Sequence, residues 1–361
     1  MILGEAGSAN YLLGFTIAFL VAAAATPLVR QYALKHDIVD RPSEERKIHR
    51  RPIAYLGGVA IFAGFLAAVI LLLPVSRQLA ALLVGCLILV GVGVIDDMRG
   101  LSPWTKLAAQ FFAAGVALAG GIGITYITNP FGGVIDLTYG RFAVDLFDWQ
   151  FHITPIGNAI SILWMVGLAN VVNFLDGLDG LAAGTSVIAA LTIFFLAIGP
   201  RVDQPLVALL AIILAGAALG FLPYNFYPAR IFMGDSGAYF LGLALAMLAI
   251  YSGAKLATAA LVLGFPIIDA LWAATRRMAK RRSPFRADRK HFHHLLLDAG
   301  MTQRQAVLTL YAVAAAFGTI ALMVGSLAKL IALIALFFLM AAAIAGLVLR
   351  KWYLARKPLA K

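Results

Sequence analysis

Two adjacent carboxylates, Asp96 and Asp97, close an apolar run and are followed by Arg99, a Ser102-Pro103 helix start and Lys106. Like charges crowded where water is scarce raise each other's proton affinity, which suits a general base or a metal site, although isolated acids and bases also mark a membrane boundary. A second constellation reads Asn170-Val-Val-Asn-Phe-Leu-Asp-Gly-Leu-Asp-Gly. Its carbonyl-bearing side chains recur every third residue, at Asn170, Asn173, Asp176 and Asp179, a spacing that keeps neighbours on adjoining helix faces. Gly177 and Gly180 are expected to break that helix, so that the last two acids project from a turn. Capping accounts for one such residue. Four in phase beside lipid, where each unpaired polar group is costly, point to a site.

A third stretch runs from Tyr224-Asn225 through Arg230-Ile-Phe232 to Met233-Gly-Asp235-Ser-Gly237. Phe232 could stack on a planar base, Gly234 and Gly237 would let backbone approach a phosphate, and Asp235 is the hard oxygen ligand that Mg²⁺ prefers. Gly-Asp-Ser-Gly could equally be a helix N-cap. The fourth stretch is Arg286-Ala-Asp-Arg-Lys-His291-Phe-His293-His294. With no companion Cys cluster and with flanking cations that would repel a metal, it reads as a diphosphate clamp rather than a zinc site. Asp269 stands about two turns inside an apolar run. It is a functional candidate by its depth, or else a partner of Arg276 or a cap for a neighbouring helix.

The elements that carry these groups are set by composition. Of 361 residues 62% are hydrophobic and 13% charged, with a mean hydropathy of +0.91; a soluble domain carries about 25% charged residues. Apolar runs fall at 11–34, 55–75, 78–95, 104–123, 154–172, 181–199, 205–222, 237–252, 256–275, 306–326 and 330–349, each near the roughly 20 residues that a helical span needs. The first is too long for a signal-peptide core and is expected to stay as a helix. The fold class is therefore all-α and polytopic, a single membrane domain over 1–361 with about eleven spans. With the N-terminus outside, the 29 Lys and Arg all fall on the cytoplasmic side except Arg77, Arg141, Arg201, Lys255 and Lys329. That bias sets the N-terminus periplasmic and the C-terminus cytoplasmic. It also explains the net charge of +12 without nucleic acid.

In this arrangement 35–54, 96–106, 173–181, 223–237 and 276–305 form cytoplasmic active-site loops, and 124–153 is periplasmic. Alternation around Gly140 predicts a short external β-hairpin there. The lone Cys86 excludes an internal disulfide. A transporter would place its ionisable groups near the bilayer midplane and often shows inverted repeats. Here the acids cluster at one face, and no repeat is visible.

Together the motifs resemble the polyprenyl-phosphate N-acetylhexosamine-1-phosphate transferase family. The likeness runs from Val39-Asp-Arg-Pro-Ser through Gly57-Gly58, Asp96-Asp97, Asn170 to Gly180 and Phe232 to Gly237, ending at His291 to His294. The stretch Ser283-Pro-Phe…Asp288-Arg-Lys-His-Phe-His-His-Leu-Leu-Leu-Asp-Ala-Gly is similar to the bacterial undecaprenyl-phosphate N-acetylglucosamine-1-phosphate branch. The branch that uses a UDP-muramoyl-pentapeptide has a different histidine motif. Ala238 departs from the Ser found in many relatives.

The resemblance implies Mg²⁺ or Mn²⁺ on the donor diphosphate, with Asp235 and Asn173 as ligands. It implies Asp96, Asp97, Lys106 and Asp176 as the catalytic group, with the two adjacent acids activating the lipid phosphate or aiding the metal. Asp179, Asn225 and Phe232 would hold the uracil end with Arg50 near it, Asn170 would line the substrate site, and His291, His293 and His294 would meet sugar or phosphate. It further implies UDP-N-acetylhexosamine and undecaprenyl phosphate as substrates, in the bacterial inner membrane with the site facing the cytoplasm. The product would feed a cell-envelope glycan such as O-antigen. A homodimer is compatible with the sequence.

Overall fold

The computed structural model describes residues 8–41, 52–146, 149–200, 202–253, 255–279 and 291–356. The helices are α1 (Ser8–Lys35), α2 (Gly57–Leu72), α3 (Arg77–Arg99), α4 (Pro103–Ala119), α5 (Pro155–Leu175), α6 (Leu181–Ile198), α7 (Pro205–Asn225), α8 (Gly234–Tyr251), α9 (Leu256–Val262), α10 (Gly264–Ala279), α11 (Phe292–Asp298), α12 (Gln303–Met323) and α13 (Ser326–Arg356). Local chemistry sets several starts. The Ser76 and Ser102 hydroxyls accept from the amides of Leu79 and Thr105. Proline opens α4, α5 and α7, where its missing N–H costs nothing. Thr302 and Gln305 form a capping box at α12.

Every expected apolar run is helical, but eight helices among the described residues are long and apolar enough to cross a membrane. There are nine if α9 and α10, bent by 79° where they meet, make one crossing. The runs at 55–75 and 104–123 give α2 and α4, of 16 and 17 residues. At 1.5 Å per residue each extends about 25 Å, short of the ~30 Å hydrocarbon core, so length alone does not support eleven spans.

The segment before α5 also differs from expectation. No strand pair turns about Gly140. Instead β3 (Tyr126–Thr128) pairs antiparallel with β4 (Val134–Asp136), and β5 (Phe142–Leu146) with β6 (Trp149–Ile153). The alternation was real, but each strand found its partner on the far side. A further short pair joins β1 (Val39–Asp40) to β2 (Ile53–Ala54).

The core is centred on α8, buried almost along its whole length, whereas α13 leaves Phe337, Phe338 and Leu339 exposed. Small residues let backbones close on the start of α8. A Cβ on Gly58 would lie 2.0 Å from the Gly237 nitrogen, and one on Gly93 would lie 2.3 Å from the Ser236 Cα. Such contacts hold membrane helices together where apolar burial gives no preference for helix over lipid. They also fix the N-terminus of α8 against α2 and α3.

Candidate active site

Four helix ends meet at that fixed point. The end of α3 supplies Asp96 and Asp97, the start of α4 Lys106, the end of α5 Asn173 and Asp176, and the start of α8 Asp235. The Lys106 ammonium donates to Asp96 Oδ2 at 3.1 Å and to Asp235 Oδ2 at 2.9 Å. The Asn173 amide donates to Asp235 Oδ1 at 2.7 Å. Asp97 works differently. Its Oδ1 accepts from the Asp235 amide at 2.9 Å, and its Oδ2 from the Ser236 hydroxyl at 2.9 Å and, more weakly, from the Ser236 amide at 3.4 Å. A carboxylate from α3 thus caps the positive end of α8. The approach requires glycine: Gly234 has φ +72°, and a Cβ there would lie 2.4 Å from Asp97 Oδ2. The Asp96 carboxylate is fixed by the Leu101 amide at 2.6 Å.

Asp96, Asp97, Asp176 and Asp235 thus gather at one point, where Lys106 bonds Asp96 and Asp235. Asp176 registers the crowding: desolvation, and then the charges of Asp235, Asp97 and Asp179, hold its carboxyl well above the ordinary value. Among the described residues no three His, Cys, Asp or Glu side chains converge in metal-binding geometry. The donor chemistry nonetheless fits a hard divalent cation. The Asp235 carboxylate and the Asn173 amide oxygen are ligands of the kind that Mg²⁺ takes one or two at a time beside water and substrate phosphate.

Beside this cluster is a cavity of about 360 Å³, to whose lining α10 and α11 bring a basic group of residues. Lys106, Asn170, Asn173, Asp176 and Gly177 line it with Arg277, His291, His293 and His294. The rings of His291 and His293 stack at 5.7 Å, and His293 and His294 lie 4.4 Å apart. Burial, and then its two histidine neighbours, push the His293 imidazole well below its ordinary value. Its Nε2 has no hydrogen-bond partner among the described residues. A Cβ on Gly177 would lie 2.4 Å from that nitrogen, so the glycine turn after α5 is what admits His293.

Other expected site residues are engaged in contacts within the protein. Asn225 is buried with both amide ends engaged, accepting from the Gly180 amide at 3.1 Å and donating to the Ile231 carbonyl at 3.0 Å. Asp179 Oδ2 accepts from the Ala229 amide at 2.9 Å. Phe232 packs near the Tyr55 ring at 5.9 Å, while its backbone bridges Ala54 and Gly57. Asp179, Asn225 and Phe232 are not among the residues that line the cavity. Asn170 does line it, and pairs with Gln110 at 2.6 Å. Arg50 lies outside the described residues.

Gln110, Phe174 and Tyr239 also line the cavity and Ser236 bonds Asp97, though none of the four stands out in the motifs. Gln110 had a signal, since it follows Lys106 by one helical turn in an otherwise apolar run and so shares its face. Arg277 is one of many cations in a segment whose charge the membrane topology already explains.

A mostly helical membrane scaffold that brings a carboxylate–lysine cluster beside one cavity, with Lys106, Asp176, Arg277 and three histidines in its lining, defines a membrane-embedded enzyme of anionic substrates. The model for "Glycosyl transferase family 4" matches residues 79–253. The chain is 33% identical to the probable undecaprenyl-phosphate N-acetylglucosaminyl 1-phosphate transferase of Bacillus subtilis, over 91% of this chain and 88% of that one. It is 35% identical to the decaprenyl-phosphate N-acetylglucosaminephosphotransferase of Mycobacterium tuberculosis, over 83% and 78%. It is 32% identical to the phospho-N-acetylmuramoyl-pentapeptide-transferase of Desulforudis audaxviator, over 82% and 92%. The chain belongs to this family of polyprenyl-phosphate N-acetylhexosamine-1-phosphate transferases, and is a multi-pass membrane sugar-phosphate transferase.

Proposed function

We propose that the protein transfers N-acetylglucosamine-1-phosphate from UDP-N-acetylglucosamine to undecaprenyl phosphate, giving undecaprenyl-diphospho-N-acetylglucosamine and UMP. The observation that carries this is the single cavity lined on one side by Lys106, Asn173 and Asp176 and on the other by Arg277 and three histidines. An oxygen of the lipid phosphate attacks the β-phosphorus of the donor. The bond from that phosphorus to the bridging oxygen breaks, UMP leaves, and the sugar keeps its own phosphate. Anions must be brought together, so the protein's part is placement and charge neutralisation.

Lys106 and Arg277 both line the cavity and supply cationic charge there, and Asp97 holds the start of α8 so that Asp235 stays beside Asn173. Mg²⁺ held by Asp235 and Asn173 would neutralise charge on the diphosphate. Asp96 lies beside Lys106, where a lipid phosphate arriving from the bilayer would meet it. Asp179 braces the loop that follows Asn225, and is assigned to the nucleotide end.

The names of the Bacillus and Mycobacterium relatives and the His291–Gly300 stretch favour N-acetylglucosamine. The Desulforudis relative keeps the muramoyl-pentapeptide donor as a second reading. A donor screen with purified protein, undecaprenyl phosphate and UDP-N-acetylglucosamine, its galactosamine epimer or UDP-muramoyl-pentapeptide separates them; turnover confined to the last would refute the first reading.

The site is assigned to the cytoplasmic face of the bacterial inner membrane, with the N-terminus outside. Eleven crossings, with α2 and α4 counted among them, would put the termini on opposite sides and the ends of α3 and α5 on the same face as the start of α8. With Cys86 replaced by Ala, a cysteine at Tyr139 should react with an impermeant thiol reagent in intact cells and one at Ser283 should not. Labelling at Ser283 from outside would overturn the orientation.

A further inference from the structure

Asp269 is absent from the cavity lining, yet it governs one of the residues there. It sits on α10 and is buried. Its Oδ2 lies 2.9 Å from His291 Nδ1, and its Oδ1 accepts from the Phe292 amide at 2.8 Å. On the other side of the same ring, Arg277 Nη2 lies 3.5 Å from His291 Nε2. The ring is further fixed by stacking between Phe174 and His293. Two residues of α10, eight apart, therefore address both nitrogens of one imidazole.

The pair defines a tautomer. A guanidinium only donates, so Nε2 must offer it a lone pair, and the ring proton then belongs on Nδ1, where the Asp269 carboxylate accepts it. His291 faces α10 through Asp269 and Arg277, α5 through Phe174, and its own helix through His293, which in turn meets His294.

We propose that Asp269 is a positioning residue of the transfer site: by holding His291 with its proton on Nδ1, it presents Nε2 as the acceptor that orients the Arg277 guanidinium at the cavity. The proposal rests on the transfer reading above, in which Arg277 meets the donor's diphosphate. Its rival is a purely structural role, in which Asp269 only caps α11 through the Phe292 amide.

Asp269→Asn separates the two. The backbone N–H of Phe292 cannot change its proton, whereas the imidazole can. The one arrangement that satisfies all partners gives the new amide oxygen to Phe292 and the new NH₂ to His291 Nδ1. The ring proton then moves to Nε2, which opposes Arg277 donor to donor. The cap survives and the tautomer does not.

Turnover of undecaprenyl phosphate with UDP-N-acetylglucosamine should be measured for the wild type, Asp269→Asn, His291→Ala and the double variant, beside the thermal midpoint of each in detergent. Asp269→Asn should keep the midpoint and lower kcat by about tenfold or more, the usual range for a partner that orients a site residue. In the His291→Ala background the same change should cost almost nothing, since residues acting through one another are non-additive. Wild-type kcat in Asp269→Asn, a loss that simply multiplies with that of His291→Ala, or failure of Asp269→Asn to fold would each overturn the proposal. If the wild type itself transfers nothing from any UDP-N-acetylhexosamine, the transfer reading fails instead.

Discussion

The two sides of the cavity are built on different principles. The acidic side stands on the ends of α3, α4, α5 and α8, each anchored in the core, and its carboxylates are pinned by Lys106, by Asn173 or by the backbone of α8. The basic side rests on a seven-residue helix, α11, whose start depends on one buried carboxylate from α10. The first is a rigid socket, and the second is a short element held by a few polar contacts. A seven-residue helix is too short to be stable alone, so its tertiary anchors decide where its histidines stand. Changes to the carboxylates of the acidic side should therefore act on chemistry with little loss of fold, and changes to the basic side should show in how well the site is assembled.

The largest effect is expected for Asp235→Asn. The residue joins Lys106 to Asn173 and is the proposed ligand for Mg²⁺, so turnover should fall about a hundredfold or more with the thermal midpoint little changed. Full activity at limiting Mg²⁺ would remove it from the metal site.

Gly234→Ala tests the socket's rigidity. The added methyl would meet Asp97, and φ +72° is strained for any side chain; a loss of about 2 kcal/mol in stability together with a drop in kcat is expected. An unchanged midpoint would mean that the start of α8 yields.

Asp97→Asn and Asp179→Asn separate roles within the acidic group. The first should lower kcat about tenfold while UMP still binds. The second should weaken UMP about tenfold with dependence on polyprenyl phosphate preserved, both read by calorimetry beside steady-state rates. The reverse pattern would exchange the two assignments.

The smallest effect concerns His293. Burial depresses its proton affinity, so below about pH 6.5 the unfolded chain takes up a proton that the folded chain does not. Stability from this group is complete above that pH and is lost as the pH falls, by at most about 1.4 kcal/mol per pH unit. Thermal midpoints between pH 7.5 and pH 5 should fall less steeply in His293→Gln than in the wild type, and equal slopes would contradict the assignment.

Much of the acidic side was legible in the sequence because membrane segments are almost silent in polar residues. Asp96, Asp97, Lys106, Asn173 and Asp235 stand out against their apolar runs, and the structure brings all five together. What was less legible came from three sources. Gln110 is a polar group inside a helix whose partner, Asn170, lies on another helix, so spacing alone could not pair them, whereas Tyr239 stands one turn after Asp235 on α8. Arg277 was hidden by the many cations around it, which topology already explained. Asn225 and Phe232 sit in a motif rich in functional residue types, yet the structure uses Asn225 to tie two loops together and the Phe232 backbone to bridge β2 to α2. A residue type suited to binding a ligand is equally suited to satisfying a buried backbone amide. The helix runs were found with fair boundaries, but span number depends on a few residues of length in α2 and α4, which pattern reading does not fix.

The central claim is that phosphorus moves with the sugar. The direct test uses UDP-N-acetylglucosamine carrying ³²P only in its β-phosphate, with purified protein and undecaprenyl phosphate in proteoliposomes. The account predicts that label passes into the organic-extractable lipid, with one UMP released for each ³²P transferred. Label that stays in the aqueous phase as UDP while sugar enters the lipid, or that accumulates unreacted in the lumen, would contradict it.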